Sequence, residues 1–151
     1  MRATGIIRRI DDLGRVVIPK EVRRTLRIRE GDPLEIFTEN NAVVFQKYQP
    51  LAMNDDVINT TFAMLKASNL ERFAIYDDTG ILKAYPPAKE EFPVLETEWD
   101  KTRKPFTYQR NNIYPILVDG ELMGYLLGKG ENAESILKIV ATYIRTQLEL
   151  D

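Results

Sequence analysis

Cysteine and histidine are both absent from the 151 residues. Without cysteine there is no disulfide and no thiolate nucleophile, and without either residue the donor set of a structural zinc site is missing. Histidine general-base catalysis is excluded for the same reason. Carboxylates or an oxygen-ligated metal are what chemistry remains, so the composition points away from an enzyme and implies no cofactor. Long apolar runs are missing too. None approaches the roughly 20 residues that span a bilayer, and the opening MRATGIIRRIDDLG holds no apolar stretch of secretory-signal length. The expectation is a cytoplasmic protein with no membrane partner.

Hydrophobic residues at 44% and charged residues at 29% describe a folded chain. The net charge of −2 argues against a nucleic-acid partner until its distribution is read. Residues 1–50 carry ten Lys/Arg against seven Asp/Glu, a net of +3, and residues 51–151 carry eleven against sixteen, a net of −5. Within residues 1–29 the balance is nine against three, and eight of the nine are arginine. A basic head on an acidic body suggests a polyanion-binding module joined to a separate second domain.

Residues 4–11 (TGIIRRID) and 15–18 (RVVI) read as strands around a turn-like Asp-Asp-Leu-Gly. Pro19 suits the first position of a helix running to Arg27 or Arg29, stopped by Gly31-Asp32-Pro33. Residues 34–38 and 42–47 flank Glu39-Asn40-Asn41, a hairpin signal. The head is therefore β-β-α-β-β, too short for a stable core of its own, and is expected to fold as a homodimer. Tyr48-Gln49-Pro50 marks the boundary, giving domains 1–50 and 51–151.

The helix after Pro19 carries the chemistry. On a wheel of roughly 100° per residue, Lys20, Arg23, Arg24 and Arg27 share one face, with Val22 and Leu26 opposite. Lys20 with Arg24 and Arg23 with Arg27 are like-charge pairs one turn apart, each costing a few tenths of a kcal/mol. A solvated basic face is the plain alternative. Arg8, Arg9 and Arg15 on the preceding hairpin shift the balance toward a polyanion, although pairing with Asp11 and Asp12 competes for them.

The stretch TGIIRRIDDLGRVVIPKEVRRTLRIREGDPLEIF closely resembles the N-terminal DNA-binding domain of the AbrB family of transition-state regulators. The resemblance implies a swapped-hairpin barrel of two intertwined chains that binds AT-rich double-stranded promoter DNA, in a nucleoid-associated regulator of sporulating bacteria. It maps the family's DNA-contacting arginines onto Arg8, Arg15, Arg23 and Arg24. Arg9, Lys20 and Arg27 join the DNA-binding set from the wheel and the charge cluster.

In the second half, residues 55–67 read as an amphipathic helix with Val57, Ile58, Thr61, Phe62 and Leu65 on one face. Residues 72–76 with 81–85, and 113–118 with 121–127, read as hairpins around Asp77-Asp78-Thr79-Gly80 and Asp119-Gly120. A helix is expected over 94–103, and another over 133–148 with Ala133, Ile136, Leu137, Val140, Ile144 and Leu148 inward. The whole is α+β. The family resemblance extends to a short GAF-like sensor domain here, which leaves an unidentified small-molecule ligand open. Tyr76, Tyr85, Tyr114 and Tyr125 either line a cavity or fill the core. The two helices offer a route to a homotetramer. GYLLGKG at 124–130 lacks the spacing of a phosphate loop and reads as a strand end before a helix. Trp99 is expected to pack, and the glutamates near it to form a solvated surface. The competing reading of the whole is a MazE-type antitoxin, which uses a similar module to bind operator DNA but carries a short disordered toxin-binding tail.

Overall fold

A computed structural model describes residues 2–95, 99 and 102–149. The chain divides into two compact units, residues 1–48 and 49–151.

In the first unit a helix, α1 (Lys20–Leu26), precedes a hairpin of β1 (Leu34–Glu39) and β2 (Ala42–Lys47). The strands pair antiparallel from Leu34 opposite Lys47 to Glu39 opposite Ala42, leaving Asn40-Asn41 as a two-residue turn with Asn40 at φ 52°. Asparagine tolerates that left-handed conformation better than most residues. The strands expected over 4–11 and 15–18 are not formed, which corrects the β-β-α-β-β reading for the single chain. A strand exists only against a neighbour that completes its ladder. Between these segments the Asp11 N–H donates to the Arg15 carbonyl (3.0 Å) and the Gly14 N–H to the Asp11 carbonyl (3.2 Å). None of the described residues of this unit is buried.

The end of α1 is a second correction. It stops at Leu26, short of Gly31, because Arg27 turns left-handed at φ 55°, ψ 42°. The Arg27 N–H then reaches the Arg24 carbonyl at 3.3 Å and the Ile28 N–H reaches the Arg23 carbonyl at 2.8 Å. That is the double bond pattern of a Schellman stop, made by a residue that carries a Cβ.

The second unit is a five-stranded antiparallel sheet with two helices. Its elements are α2 (Asp55–Ala67), β3 (Arg72–Asp77), β4 (Gly80–Tyr85), β5 (Phe106–Tyr108), β6 (Asn111–Val118), β7 (Glu121–Lys129) and α3 (Ala133–Leu148). The spatial order is β4-β3-β7-β6-β5. Asn54 caps α2, its Oδ1 accepting from the Val57 N–H at 3.1 Å. The β3–β4 turn is closed by Asp77 Oδ1, which accepts from the Thr79 N–H (2.8 Å) and hydroxyl (2.6 Å). The β6–β7 turn places Asp119 and Gly120 at φ 51° and 78°, as a primed two-residue hairpin turn requires. β5 was not anticipated: it is three residues long and follows Pro105, too short to show alternation. The helix expected over 94–103 falls in part on residues outside those described, and Val94 and Leu95 are not helical.

Alternation along β3 and β7 builds a core on each face of the sheet. Phe73, Ile75 and Leu126 face α2 and α3, which bury Val57, Ile58, Thr61, Leu65, Leu137, Val140 and Ile144. Tyr76, Tyr125 and Leu127 face the opposite way, into a cluster closed by Phe92 and Trp99. Trp99 packs, as expected, edge-on against Tyr76, Phe106, Tyr108 and Tyr125 with ring centroids 5.4–5.6 Å apart. Gly124 lies opposite Asp77 of β3, and a Cβ there would strike the Tyr76 carbonyl oxygen. The first glycine of GYLLGKG is thus a packing requirement inside β7 rather than part of a phosphate loop. No described helix is long and apolar enough to cross a membrane.

Candidate nucleic-acid interface

Two local structures hold the cationic side chains of the first unit. The first is the turn 11–15. Asp11 Oδ1 accepts from the backbone N–H of Leu13 (2.9 Å) and of Arg15 (2.8 Å), and Oδ2 takes the Arg15 Nε at 2.8 Å. The competition foreseen for Arg15 is therefore present, and Asp11 is the competitor. One edge of the guanidinium is held while its side chain stays 71% exposed, so the pairing orients Arg15 without removing it from solvent.

The Asp11 carboxyl is held below the usual carboxylate range, first by the Arg15 backbone N–H and next by its side chain. A depressed folded-state value means that this contribution is complete above the ordinary range and fades as pH falls through the lowered one. In a side-chain carboxyl NMR titration, Asp11 is expected to titrate below its model value of 3.8. Arg15→Ala should raise its midpoint only in part, since the dominant backbone donor survives. A full return to the ordinary value in Arg15→Ala would contradict this arrangement.

The second structure is α1. Lys20, Arg23 and Arg24 are exposed on it, and no carboxylate pairs with any of them among the described residues. Glu21, in the first turn, is the one acidic residue of the helix. Arg27 departs from the expected face: in its left-handed position it has left the helix, so a helical wheel no longer fixes where it points. It remains exposed just past the helix end, and its carbonyl accepts from Lys47 Nζ at 3.3 Å. Lys47 was not singled out by the sequence, because only the fold carries β2 back to the helix end.

Arg8 and Arg9 are exposed on the segment before the turn, with the Arg8 guanidinium donating to the Ile7 carbonyl at 3.1 Å. All seven expected residues are thus solvent-facing cations. The structure brings Arg15 to Asp11, and sets Lys20, Arg23 and Arg24 on one short helix. Such a set, with little acid among it, suits phosphate oxygens at several points rather than one ligand. No cluster of three or more acidic side chains suited to a metal ion occurs among the described residues.

Comparison with known proteins gives the following. Residues 7–50 match the family described as antidote-toxin recognition MazE, bacterial antitoxin. The chain is 72% identical over 81 residues to Stage V sporulation protein T of Bacillus subtilis (strain 168), 53% of this chain and 40% of that protein. It is 54% identical over 50 residues to the transition state regulatory protein AbrB of the same organism, 33% of this chain and 52% of that one. The chain spans 40–54% of the length of these and a third relative, the putative transition state regulator Abh. Among solved structures, the N-domain of the transcription factor abrB is 54% identical, with a TM-score of 0.31, covering 33% of this chain and 96% of that chain. The N-terminal DNA recognition domain of the Bacillus subtilis regulator AbrB matches at 53% identity and a TM-score of 0.29, over 34% and 96% of the two chains. The resemblance of the head to the AbrB family, stated from its residues, is borne out, and the 81-residue match runs past the first unit.

Proposed function

We propose that this chain is a DNA-binding transcription regulator whose first unit grips AT-rich promoter duplexes through Arg8, Arg9, Arg15, Lys20, Arg23, Arg24 and Arg27. The observation that carries this reading is the exposed, carboxylate-poor set of cations on α1, within a segment 54% identical to the regulator AbrB. Solved segments of that relative are described as its DNA recognition domain. Flexible arginines reading backbone and groove shape favour deformable, narrow-grooved AT tracts without a strict base code. At equal salt, an AT-rich duplex is expected to bind on the order of tenfold more tightly than a GC-rich one of the same length. Equal affinities in that competition would remove the promoter-binding part of the reading.

The working unit is a homodimer. Ile7, Leu13 and Val17 are 87%, 70% and 71% exposed in the single chain, and Ile10, Val16 and Leu26 are at least half exposed. A head with this much uncovered apolar surface and no buried residue among those described gains its core from a second copy. Dilution is expected to lower the thermal midpoint of the head. A midpoint unchanged over a hundredfold dilution would contradict the dimer.

The second unit serves assembly or signal sensing. The antitoxin reading is favoured by the name of the matched family. Against it stands the second unit, a five-stranded sheet with two helices in place of a short disordered tail.

A further inference from the structure

We infer that the second unit binds a small organic anion with a flat apolar body in the groove where the β4 edge meets α2. The inference rests on the second unit alone and stands or falls independently of DNA binding by the first. The groove, about 470 Å³, is lined by Phe62, Leu82, Lys83, Ala84, Tyr85, Pro87 and Lys89. That volume falls in the range of small-molecule sites.

Its floor is aromatic. Phe62 of α2 meets Phe73 edge-on at 5.3 Å, and Tyr85 stacks on Phe73 at 5.4 Å with 20° between the planes. Its rim is cationic. Lys83 Nζ lies 4.4 Å from the centre of the Phe62 ring and bonds Asn59 Oδ1 at 3.2 Å. Lys66 Nζ lies 5.2 Å from the centre of the Tyr85 ring.

Two lysines, Lys83 and Lys89, therefore line the groove and a third, Lys66, lies against the Tyr85 ring, and among the described residues no carboxylate pairs with any of them. This occurs in a half of the chain whose net charge is −5, eleven Lys/Arg against sixteen Asp/Glu over residues 51–151. Among the described residues, no acidic side chain lines the groove. Lys83 is already positioned by Asn59 and Phe62, so a ligand carboxylate or phosphate would meet a donor whose ordering is partly complete. The rings supply dispersion and area to a planar body, and the ammonium groups select its charge.

Two other grooves of this unit serve this chemistry less well. The one of 260 Å³ between β6 and α3 carries Glu134 in its wall, and the one with Arg103 and Arg145 holds only 110 Å³.

The test is titration of the isotope-labelled full chain with naphthalene-2-carboxylate, and separately with the neutral 2-naphthalenemethanol, followed by backbone NMR shifts. The expected result is saturable shifts at Phe62, Leu82, Ala84 and Tyr85, with Kd of about 1 mM or tighter for a probe of this size. The carboxylate should bind at least roughly fivefold more tightly than the alcohol, and Lys83→Glu/Lys89→Glu should weaken it by about tenfold. Lys89→Glu alone, at an exposed position, should fold normally and show a smaller loss in the same direction. No saturable shift at these residues, equal affinity for the neutral probe, or binding unchanged by charge reversal would each overturn the site.

Discussion

Replacing Arg23 and Arg24 together with alanine is expected to lower affinity for an AT-rich duplex by about 10²–10³-fold, and by a similar factor on every duplex tested. The estimate follows from the head. Two exposed cations per chain, doubled in the proposed dimer, would remove up to four phosphate contacts at about 1 kcal/mol each, and 1.4 kcal/mol is a factor of ten. The same loss should flatten the dependence of log K on log salt by about 3–4 units, since each contact releases condensed counterions. Folding should survive, because neither residue is buried or pairs with a carboxylate among the described residues, so the thermal midpoint serves as the control. Removing both charges also relieves the like-charge pairing of Arg24 with Lys20, a few tenths of a kcal/mol in favour of the variant's helix. Weaker binding with unchanged salt dependence would mean that these arginines act through structure, not charge.

The second large effect lies in the other unit. Trp99→Ala is expected to destabilise it by about 3–5 kcal/mol. Trp99 is 2% exposed and meets four aromatic rings, so truncation empties the centre of the cluster on the sheet face away from the helices. Neighbours anchored on four strands cannot collapse into the space: Tyr76 on β3, Phe106 on β5, Tyr125 on β7, with Ile113 on β6 beside them. Tyr76 is further tied by its hydroxyl, which donates to the Pro93 carbonyl at 2.7 Å. Against a domain stability of roughly 5–15 kcal/mol, the loss is a large share and should lower the melting temperature by at least about 12 °C. Circular dichroism is the readout, because Trp99 is the chain's single tryptophan and its fluorescence leaves with it. Val94→Ala, at a position 74% exposed on the same stretch, should change stability by no more than about 0.5 kcal/mol. A Trp99→Ala protein as stable as Val94→Ala would contradict the packing described.

How much of this was legible follows from where each signal resides. Pro19, the arginines behind it and the Asn-Asn turn are local signals, and α1 and the β1–β2 hairpin appear where they were expected. The stop at Arg27 was not legible, because a left-handed arginine leaves no mark in composition, whereas Gly31 did and misled. Strands over 4–11 and 15–18 depend on a neighbour that local patterning cannot supply. In the second unit the amphipathic stripes of α2 and α3 gave most of their inward residues directly, with Phe62, Ile136 and Leu148 only half-buried at the margins. The four tyrosines were not separable by sequence. Alternation and a bulge in β4 pairing divide them, Tyr76 and Tyr125 filling the Trp99 core while Tyr85 and Tyr114 lie toward the helices, so they line no common cavity. The groove beside Tyr85 was invisible for the same reason: Phe62 and Lys83 are 21 positions apart and meet only through the packing of α2 on β4.

The central claim is that an acidic chain binds DNA through a basic head. It is tested most directly by fluorescence anisotropy of an AT-rich duplex with the full chain across a salt series. Arg8, Arg15, Arg23 and Arg24 in the proposed dimer would make up to about eight phosphate contacts, and the predicted result is tight binding at low salt with a slope of log K against log salt steep in the negative direction, reaching about −7 at most. No binding at low salt, or a slope near zero, would contradict the account and turn attention to a protein partner for the head.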